Sequence, residues 1–519
     1  MDVLYYGDNL EILRNKIEEN SIDLCYIDPP FNSKRTYFQI YNNIGGEEDK
    51  AQEQAFVDTW QWDTKASDGF EEITFNNGGR FTKQAIELIG GLRNILGQEG
   101  LLAYLISMTL RVTEIFRVLK PTGSFYLHCD PTASHYLKLV LDAVFCPQGG
   151  DFRNEIIWCY NIGGRVSKNA YGRRHDTIFF YTKSNKYNFY WDKILDEFSE
   201  TGKAKFRYED EIGKYRLMGR FIKDSPIKGH RDVSVEWEKT NPELVYRHYL
   251  KEGKMQVDFW NIPPINQASK ERLGYPTQKP EALLERIITA SSNEGDTVLD
   301  AYCGCGTTVA VAEKLNRKWI GIDITYRSIS LILKRIEDTF GKEILHNLKV
   351  LGIPKDVESA KALAHRQDDR VRKEFEKWAI LTYTNNRAVI NDKKGADKGI
   401  DGVIRFASGR DTTERMVLQV KSGSVGRATI ATLHGDMDRE QAEMAVLITL
   451  EEPTKPMIEE AKKAGLYNHQ IMGRAYDKIQ IVTIREMIEH NKRLDMPLSF
   501  NVLKSAQSNN GKTQTEINI

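Results

Sequence analysis

The sequence predicts an α/β fold joined to a second, smaller α/β unit, and three observations carry that prediction. Short apolar runs alternate with stretches whose apolar residues recur at helical spacing, the rhythm of a parallel sheet flanked by helices. The run IDLCYI at residues 22–27 is almost uniformly apolar, as a parallel strand covered on both faces must be. The chain has 519 residues, too many for one core, which at about 100 to 200 residues per domain suggests about three units.

The elements follow in order. Near the start, Leu4, Tyr5 and Tyr6 read as a strand, Asp8 as a cap, and Leu10, Leu13 and Ile17 as one face of a helix. After the apolar run, Leu102, Leu105, Thr109, Val112, Phe116 and Leu119 form the face of a long helix, expected to stop at Lys120-Pro121-Thr122-Gly123 before the strand SFYLHC. From about Asp151 to Gly274 basic and aromatic residues with polar interruptions break the rhythm. It resumes with the helix PEALLERIITASS, the strand Thr297-Val298-Leu299-Asp300, a Gly-bearing turn, the helix TTVAVAEKL, the strand WIGIDI and the helix SISLILKRIEDTF. A polar stretch reads as a linker or connecting helix, and a separate unit follows whose tail is too polar to pack. The expected divisions are 1–150, 151–275, 276–350, a linker 351–370, a C-terminal unit 371–503, and a disordered tail 504–519.

Lys+Arg 73 against Asp+Glu 73 leaves no net charge, so any attraction to nucleic acid must be local. The six cysteines show no CxxC pairing, which suits reduced thiols in a cytosolic protein better than a zinc site. No apolar run approaches the roughly 18 residues of a membrane span, and MDVLYYGDNL does not read as a signal peptide. A soluble intracellular protein is expected.

Two constellations carry chemistry. Asp28-Pro29-Pro30-Phe31 follows directly on the apolar strand, and two prolines fix the backbone so that the acid and the Pro29 carbonyl sit on a stiff loop. Asp300-Ala301-Tyr302-Cys303-Gly304-Cys305-Gly306-Thr307-Thr308 stands where a strand turns into a helix, its glycines allowing a ligand close to the backbone. The third glycine of a dinucleotide fingerprint is replaced by Val309, which disfavours a pyrophosphate. Asp300 is suited to an amino group, and Asp323 follows at about the spacing at which an acid reaches ribose hydroxyls. A ligand with both features is S-adenosylmethionine.

These two motifs, in this order, resemble the amino-group DNA methyltransferases of the circularly permuted beta class. Tyr6-Gly7-Asp8-Asn9-Leu10, Leu119-Lys120-Pro121-Thr122-Gly123 and Pro276-Thr277-Gln278-Lys279-Pro280 extend the likeness over about residues 1 to 345. The resemblance implies a Rossmann-like methyltransferase fold with an inserted target-recognition region, and one pocket holding both Asp28 and Asp300. It implies catalysis by Asp28, Pro29, Pro30 and Phe31, with Phe31 stacking on a flipped base. The cofactor set it implies is Asp300, Tyr302, Gly304, Gly306, Thr307, Asp323, Gln278, Lys279 and Pro280. An Asp-led motif in this class favours adenine N6 over cytosine N4. Arg153, Arg165, Lys168, Arg173, Arg174 and Lys183, interleaved with aromatics, are the expected contacts to double-stranded DNA. A prokaryotic, cytoplasmic, DNA-associated protein of a restriction-modification or marking system is implied, as a homodimer or beside a restriction subunit. The alternatives are a cytosine-N4 enzyme, a bifunctional methylase and nuclease, a DNA-binding module without catalysis, and an RNA-modifying enzyme.

In the C-terminal unit, Val371, Phe375, Trp378 and Ala379 share a helix face. Alternation in GIDGVIRF places Ile400, Ile404 and Phe406 on one face and Asp401 on the other, and in MVLQVKSG it sets Gln419 and Lys421 opposite Leu418 and Val420. If these strands pair, the polar residues converge and could hold a divalent metal such as Mg2+ through Asp401. The pattern resembles the Mrr-like branch of the PD-(D/E)xK nucleases, which implies a nuclease set of Glu376, Asp401, Gln419 and Lys421. Gln419 replaces the usual second acid, which leaves a nuclease-like fold that binds without cutting as the alternative.

Overall fold

The computed structural model describes the chain apart from residues 1, 31–34, 43–47, 59, 61, 161–168, 170, 173, 221–230, 251–252, 267, 274, 276, 366–368, 386, 392–398, 409–412, 470–472 and 497–519. Its centre is a nine-stranded sheet in the order Phe259–Asn261, Asp151–Cys159, His175–Thr182, Leu119–Cys129, Ile22–Ile27, Thr297–Asp300, Lys318–Asp323, Val3–Tyr6, Lys349–Leu351. Neighbours are parallel except at His175–Thr182, which runs against both of its partners.

All six residues of Ile22–Ile27 are buried. Leu24 and Tyr26 enter the core on one face, while Ile22, Cys25 and Ile27 enter the core on the other. Helices cover both faces, which is why the strand lacks polar alternation. The helix Gly100–Val118 runs directly into Leu119–Cys129, so Lys120 to Gly123 belong to the strand rather than to a turn before it. The expected interruption survives as a register irregularity opposite Ile22 to Leu24.

The sheet extends further than the alternation of elements predicts. Asp151–Cys159 and His175–Thr182 are strands of this same sheet, although the sequence rhythm breaks at Asp151. Only Tyr208–Asp210, Gly213–Gly219 and Val245–Tyr249 form a separate three-stranded sheet within that region. The second half completes the fold with the helix Glu281–Ser291, the strand Thr297–Asp300, the helix Thr307–Lys314, the strand Lys318–Asp323 and the helix Tyr326–Phe340. Ile22–Ile27 lies beside Thr297–Asp300, with Leu24 opposite Val298 and Cys25 opposite Leu299. Connections leave these strands in opposite directions across the sheet, so a cleft opens beyond their carboxyl ends.

The stretch expected as a linker or connecting helix holds a helix, Val357–Ala364, and follows a strand of the main sheet. Lys349–Leu351 pairs with Val3–Tyr6, and Ala360 and Ala364 of the helix Val357–Ala364 are buried. The C-terminal unit has the helix Asp369–Tyr383 and a five-stranded sheet in the order Val389–Ile390, Gly402–Ala407, Thr413–Lys421, Met444–Thr449, Ile479–Thr483. The expected pair forms, antiparallel, with Gly402 opposite Leu418. Ile404, Phe406, Leu418 and Val420 share a core, but Ile400 packs with Val417 and Leu447 on the other side. The strand begins at Gly402, so the alternation does not carry back to Ile400. The tail expected to be disordered lies outside the described residues. Among the described residues no helix is long and apolar enough to cross a membrane.

Candidate active site

The strand Ile22–Ile27 delivers Asp28 to the cleft, and Thr297–Asp300 delivers Asp300 beside it, close enough for the charge of Asp28 to act on Asp300. Oδ2 of Asp28 is held by the Lys279 ammonium. Oδ1 is buried and has no hydrogen-bond partner among the described residues. Phe31 lies outside the described residues.

A polar chain adjoins this turn, buried at Tyr26 and His128 and half-buried at Asp176 and Tyr160. Tyr26, two residues before Asp28, meets His128 Nδ1 through its hydroxyl at 2.9 Å. His128 Nε2 lies 3.2 Å from Asp176 Oδ2, and the Tyr160 hydroxyl donates to Asp176 Oδ1 at 3.3 Å. Burial alone would raise the pKa of Asp176, yet His128 and the Lys279 charge bring it below the ordinary carboxylate value.

The glycine turn is locked from several sides. Gly306 N donates to Cys303 O at 2.7 Å and Cys303 N to Ile322 O at 3.1 Å. Gly304 and Gly306 have φ of +47° and +75°, and a Cβ on Gly306 would stand 2.7 Å from Ile332 Cγ1. Asp323 binds the turn directly, accepting from Gly304 N at 2.9 Å through Oδ2 and from Thr325 N at 2.9 Å through Oδ1. Asp300 Oδ1 accepts from Tyr302 N at 3.0 Å. Burial, followed by smaller effects that include the charge of Asp28, pushes the Asp300 carboxyl up to about 7. Burial likewise pushes Asp323 up to about 6 against the hydrogen bonds it accepts. Two acids with raised pKa values side by side in a cleft are suited to a cationic, hydroxyl-bearing ligand.

Several residues expected at the cofactor also make contacts within the protein. The Gln278 amide accepts from Leu273 N at 2.8 Å and donates to Glu271 O at 2.7 Å, tying its own loop. Lys279 is on Asp28, and Pro280 is the N-cap of the helix Glu281–Ser291. The Thr307 hydroxyl accepts from Arg335 Nη1 at 3.2 Å, and the Tyr302 hydroxyl lies 3.7 Å from Met108 Sδ. Sequence reading missed Asn9, whose amide donates to Ala301 O at 2.7 Å while Arg111 Nε donates to Asn9 Oδ1 at 2.6 Å. It also missed Arg335, His128 and Asp176. Nothing in the sequence separates Arg335 from the other charges of its helix, Arg327, Lys334, Glu337 and Asp338.

The expected DNA contacts divide. Arg165, Lys168 and Arg173 lie outside the described residues, and Arg174 is half-buried at the start of the strand His175–Thr182. Lys183 is a structural pin, its ammonium donating to Asn20 Oδ1 at 2.8 Å, Arg117 O at 3.0 Å and Leu119 O at 2.6 Å. Burial pulls its pKa down. Arg153 donates to Thr182 Oγ1 at 3.0 Å, pairs with Asp151 and covers the Tyr187 ring.

In the C-terminal unit the expected cluster comes together in part. Asp401 Oδ2 accepts from Val420 N at 2.8 Å. Burial and then the charge of Asp401 push Glu376 up to about 7, and Lys421 acts on the same group in the opposite sense. Gln419 is more buried than alternation alone suggests, with its amide nitrogen bound to Gly399 O. No group of three or more metal-ligating His, Cys, Asp or Glu is found among the described residues.

Comparison with known proteins decides the larger assignment. Residues 22 to 334 match the model of a family described as DNA methylase. The chain belongs to that family. Over 335 residues this DNA methylase is 28% identical to the DNA adenine methyltransferase YhdJ of Escherichia coli (strain K12), covering 64% of this chain and 82% of the relative. It is also 28% identical over 337 residues to the Type II methyltransferase M.HpaI of Haemophilus parainfluenzae, covering 65% and 74%. Residues 371 to 489 match a family described as NACHT-associated inactive Restriction Endonuclease 1. The chain is thus a DNA methyltransferase with a C-terminal unit similar to a restriction-endonuclease family described as inactive.

Proposed function

We propose that this methyltransferase is of the permuted beta class and methylates adenine N6 in double-stranded DNA, drawing on S-adenosylmethionine. The observation that carries the reading is the pairing of these two strands, which brings Asp28, with its unpaired Oδ1, within electrostatic reach of the buried acid Asp300. The residues present fit the cofactor: Asp300 for its amino group, Asp323 for its ribose, and the positive-φ glycines for close backbone approach. When bound, it supplies a methyl group on a positively charged sulfur.

The protein's own residues prepare the acceptor. An exocyclic amino nitrogen is a poor nucleophile because its lone pair is delocalised into the ring. Asp28 Oδ1 and the Pro29 carbonyl accept its two N–H bonds, favouring a pyramidal nitrogen and stabilising the positive charge that develops on it. The prolines hold both acceptors in place before the base arrives. The base must leave the stack to reach them, as the handling of bases by DNA methyltransferases generally requires. Adenine is favoured by the Asp-led motif and by the name of the Escherichia coli relative.

For the C-terminal unit we favour DNA binding without cleavage. Gln419 stands where an acid is expected, and a neutral amide holds a metal less strongly than a carboxylate. The test of the main reading is transfer of labelled methyl groups to duplex DNA followed by nucleoside analysis. Label in N6-methyladenine, lost in Asp28→Ala, is the expected result. N4-methylcytosine would reassign the base, label confined to RNA would reassign the substrate, and tight DNA binding without label would reduce the chain to a binding module.

A further inference from the structure

We infer that Lys279 is a positioning residue for Asp28, holding one carboxylate oxygen so that the other is presented to the target amino group, and is not a cofactor ligand. This deepens the function proposed above and rests on it.

The two oxygens of Asp28 differ sharply. Oδ2 is taken by the Lys279 ammonium, whereas Oδ1 is buried without a partner among the described residues. A carboxylate at the end of a strand can rotate about its side-chain torsions, and rotation would exchange the two oxygens or aim both away from the base. An ammonium bound to one oxygen removes that freedom. Lys279 is itself 8% exposed and reaches Thr277 O at 3.4 Å. It also faces Asp176, whose carboxylate is fixed by His128 and Tyr160. The charge of the lysine therefore acts on two acids, one belonging to the Asp28 turn and one to the antiparallel strand His175–Thr182. Other ionisable groups within electrostatic reach of this pair, among the described residues, include Tyr26, Cys129, Asp300 and Cys305. Tyr26 is tied through His128 to the same Asp176, so the base of the Asp28 turn and the holder of its carboxylate share one anchor.

The arrangement assigns the hydrogen bonds of the substrate. With Oδ2 occupied, Asp28 offers one acceptor and the Pro29 carbonyl the second, matching the two N–H bonds of an exocyclic amine.

The experiment compares wild type, Lys279→Met and Lys279→Arg. Titration calorimetry with S-adenosylhomocysteine reads the cofactor site, methyl transfer to genomic DNA reads kcat, and a crystal structure of Lys279→Met reads the Asp28 carboxylate directly. Lys279→Met is expected to lower kcat by at least about tenfold while the affinity for S-adenosylhomocysteine stays within about threefold. Lys279→Arg should restore most of kcat, and adding Lys279→Met to Asp28→Asn should cost nothing further. In the variant structure the carboxylate should leave its wild-type position. A tenfold loss of S-adenosylhomocysteine affinity with kcat preserved would make Lys279 a cofactor ligand and overturn the inference. An Asp28 carboxylate unmoved in the Lys279→Met structure would overturn it without recourse to activity. Wild type that binds S-adenosylhomocysteine but transfers no methyl to any nucleic acid would instead refute the proposed function, leaving the variant structure to decide on Lys279.

Discussion

Cofactor affinity should depend steeply on pH through Asp300. Its carboxyl is raised to about 7 in the unliganded protein, with burial as the main cause. An amino group carrying a positive charge needs the ionised form. With a pKa of about 7, about one-tenth of the protein is competent at pH 6 and about nine-tenths at pH 8, and apparent affinity scales with that fraction. The dissociation constant for S-adenosylhomocysteine should therefore be about tenfold weaker at pH 6 than at pH 8. Asp323, raised to about 6, adds roughly a further factor of two at the acid end. Calorimetry across this range measures the affinity directly, and repeating it in buffers of different ionisation enthalpy counts about half a proton released at pH 7. Asp300→Asn should bind weakly with little of this pH dependence. The sign for stability is opposite. Between its unfolded value of 3.8 and about 7, the folded state holds a proton on Asp300 that the unfolded chain gives up. The unliganded protein should therefore lose stability as pH rises through that window. Constant affinity from pH 6 to 8, with no proton released, would refute the assignment of Asp300 to the amino group.

Other expectations follow from single contacts. Gly306→Ala places a Cβ 2.7 Å from Ile332 in a positive-φ turn, so it should cost about 1–3 kcal/mol in a denaturant melt and weaken S-adenosylhomocysteine binding as well. Lys183→Ala removes a pin from two backbone carbonyls and should destabilise by about 1–3 kcal/mol while leaving the salt dependence of DNA binding unchanged. A salt slope reduced by about one would return Lys183 to the DNA interface. Duplex DNA should remain intact with magnesium or manganese present, and cleavage abolished by Asp401→Ala or Lys421→Ala would show the C-terminal unit to be a nuclease.

The C-terminal strands show how far alternation can be read. Leu418, Val420, Ile404 and Phe406 fall on the expected shared face because they lie inside paired strands. Ile400 does not, because it precedes the first ladder pair, and side-chain direction before a ladder begins is set by the turn. A similar limit explains the extent of the main sheet. Asp151–Cys159 carries charged and half-exposed residues near the sheet edge, so it lacks the apolar run that marks Ile22–Ile27. The motif at Thr277 to Pro280 was legible as functional, but its division of labour was not. Gln278 ties its loop and Lys279 reaches across 251 positions of sequence to Asp28.

By itself the sequence determined the α/β alternation, the stiff turn carrying Asp28, and the glycine turn flanked by Asp300 and Asp323. These are local properties, set by proline and glycine stereochemistry and by apolar spacing. Only the tertiary structure decided which groups meet. Strand order brings Asp28 to Asp300, buries His128 between Tyr26 and Asp176, and sets the Lys279 ammonium on Asp28. Pairing of strands distant in the chain fixes those contacts, and no local pattern encodes the distance between two buried charges.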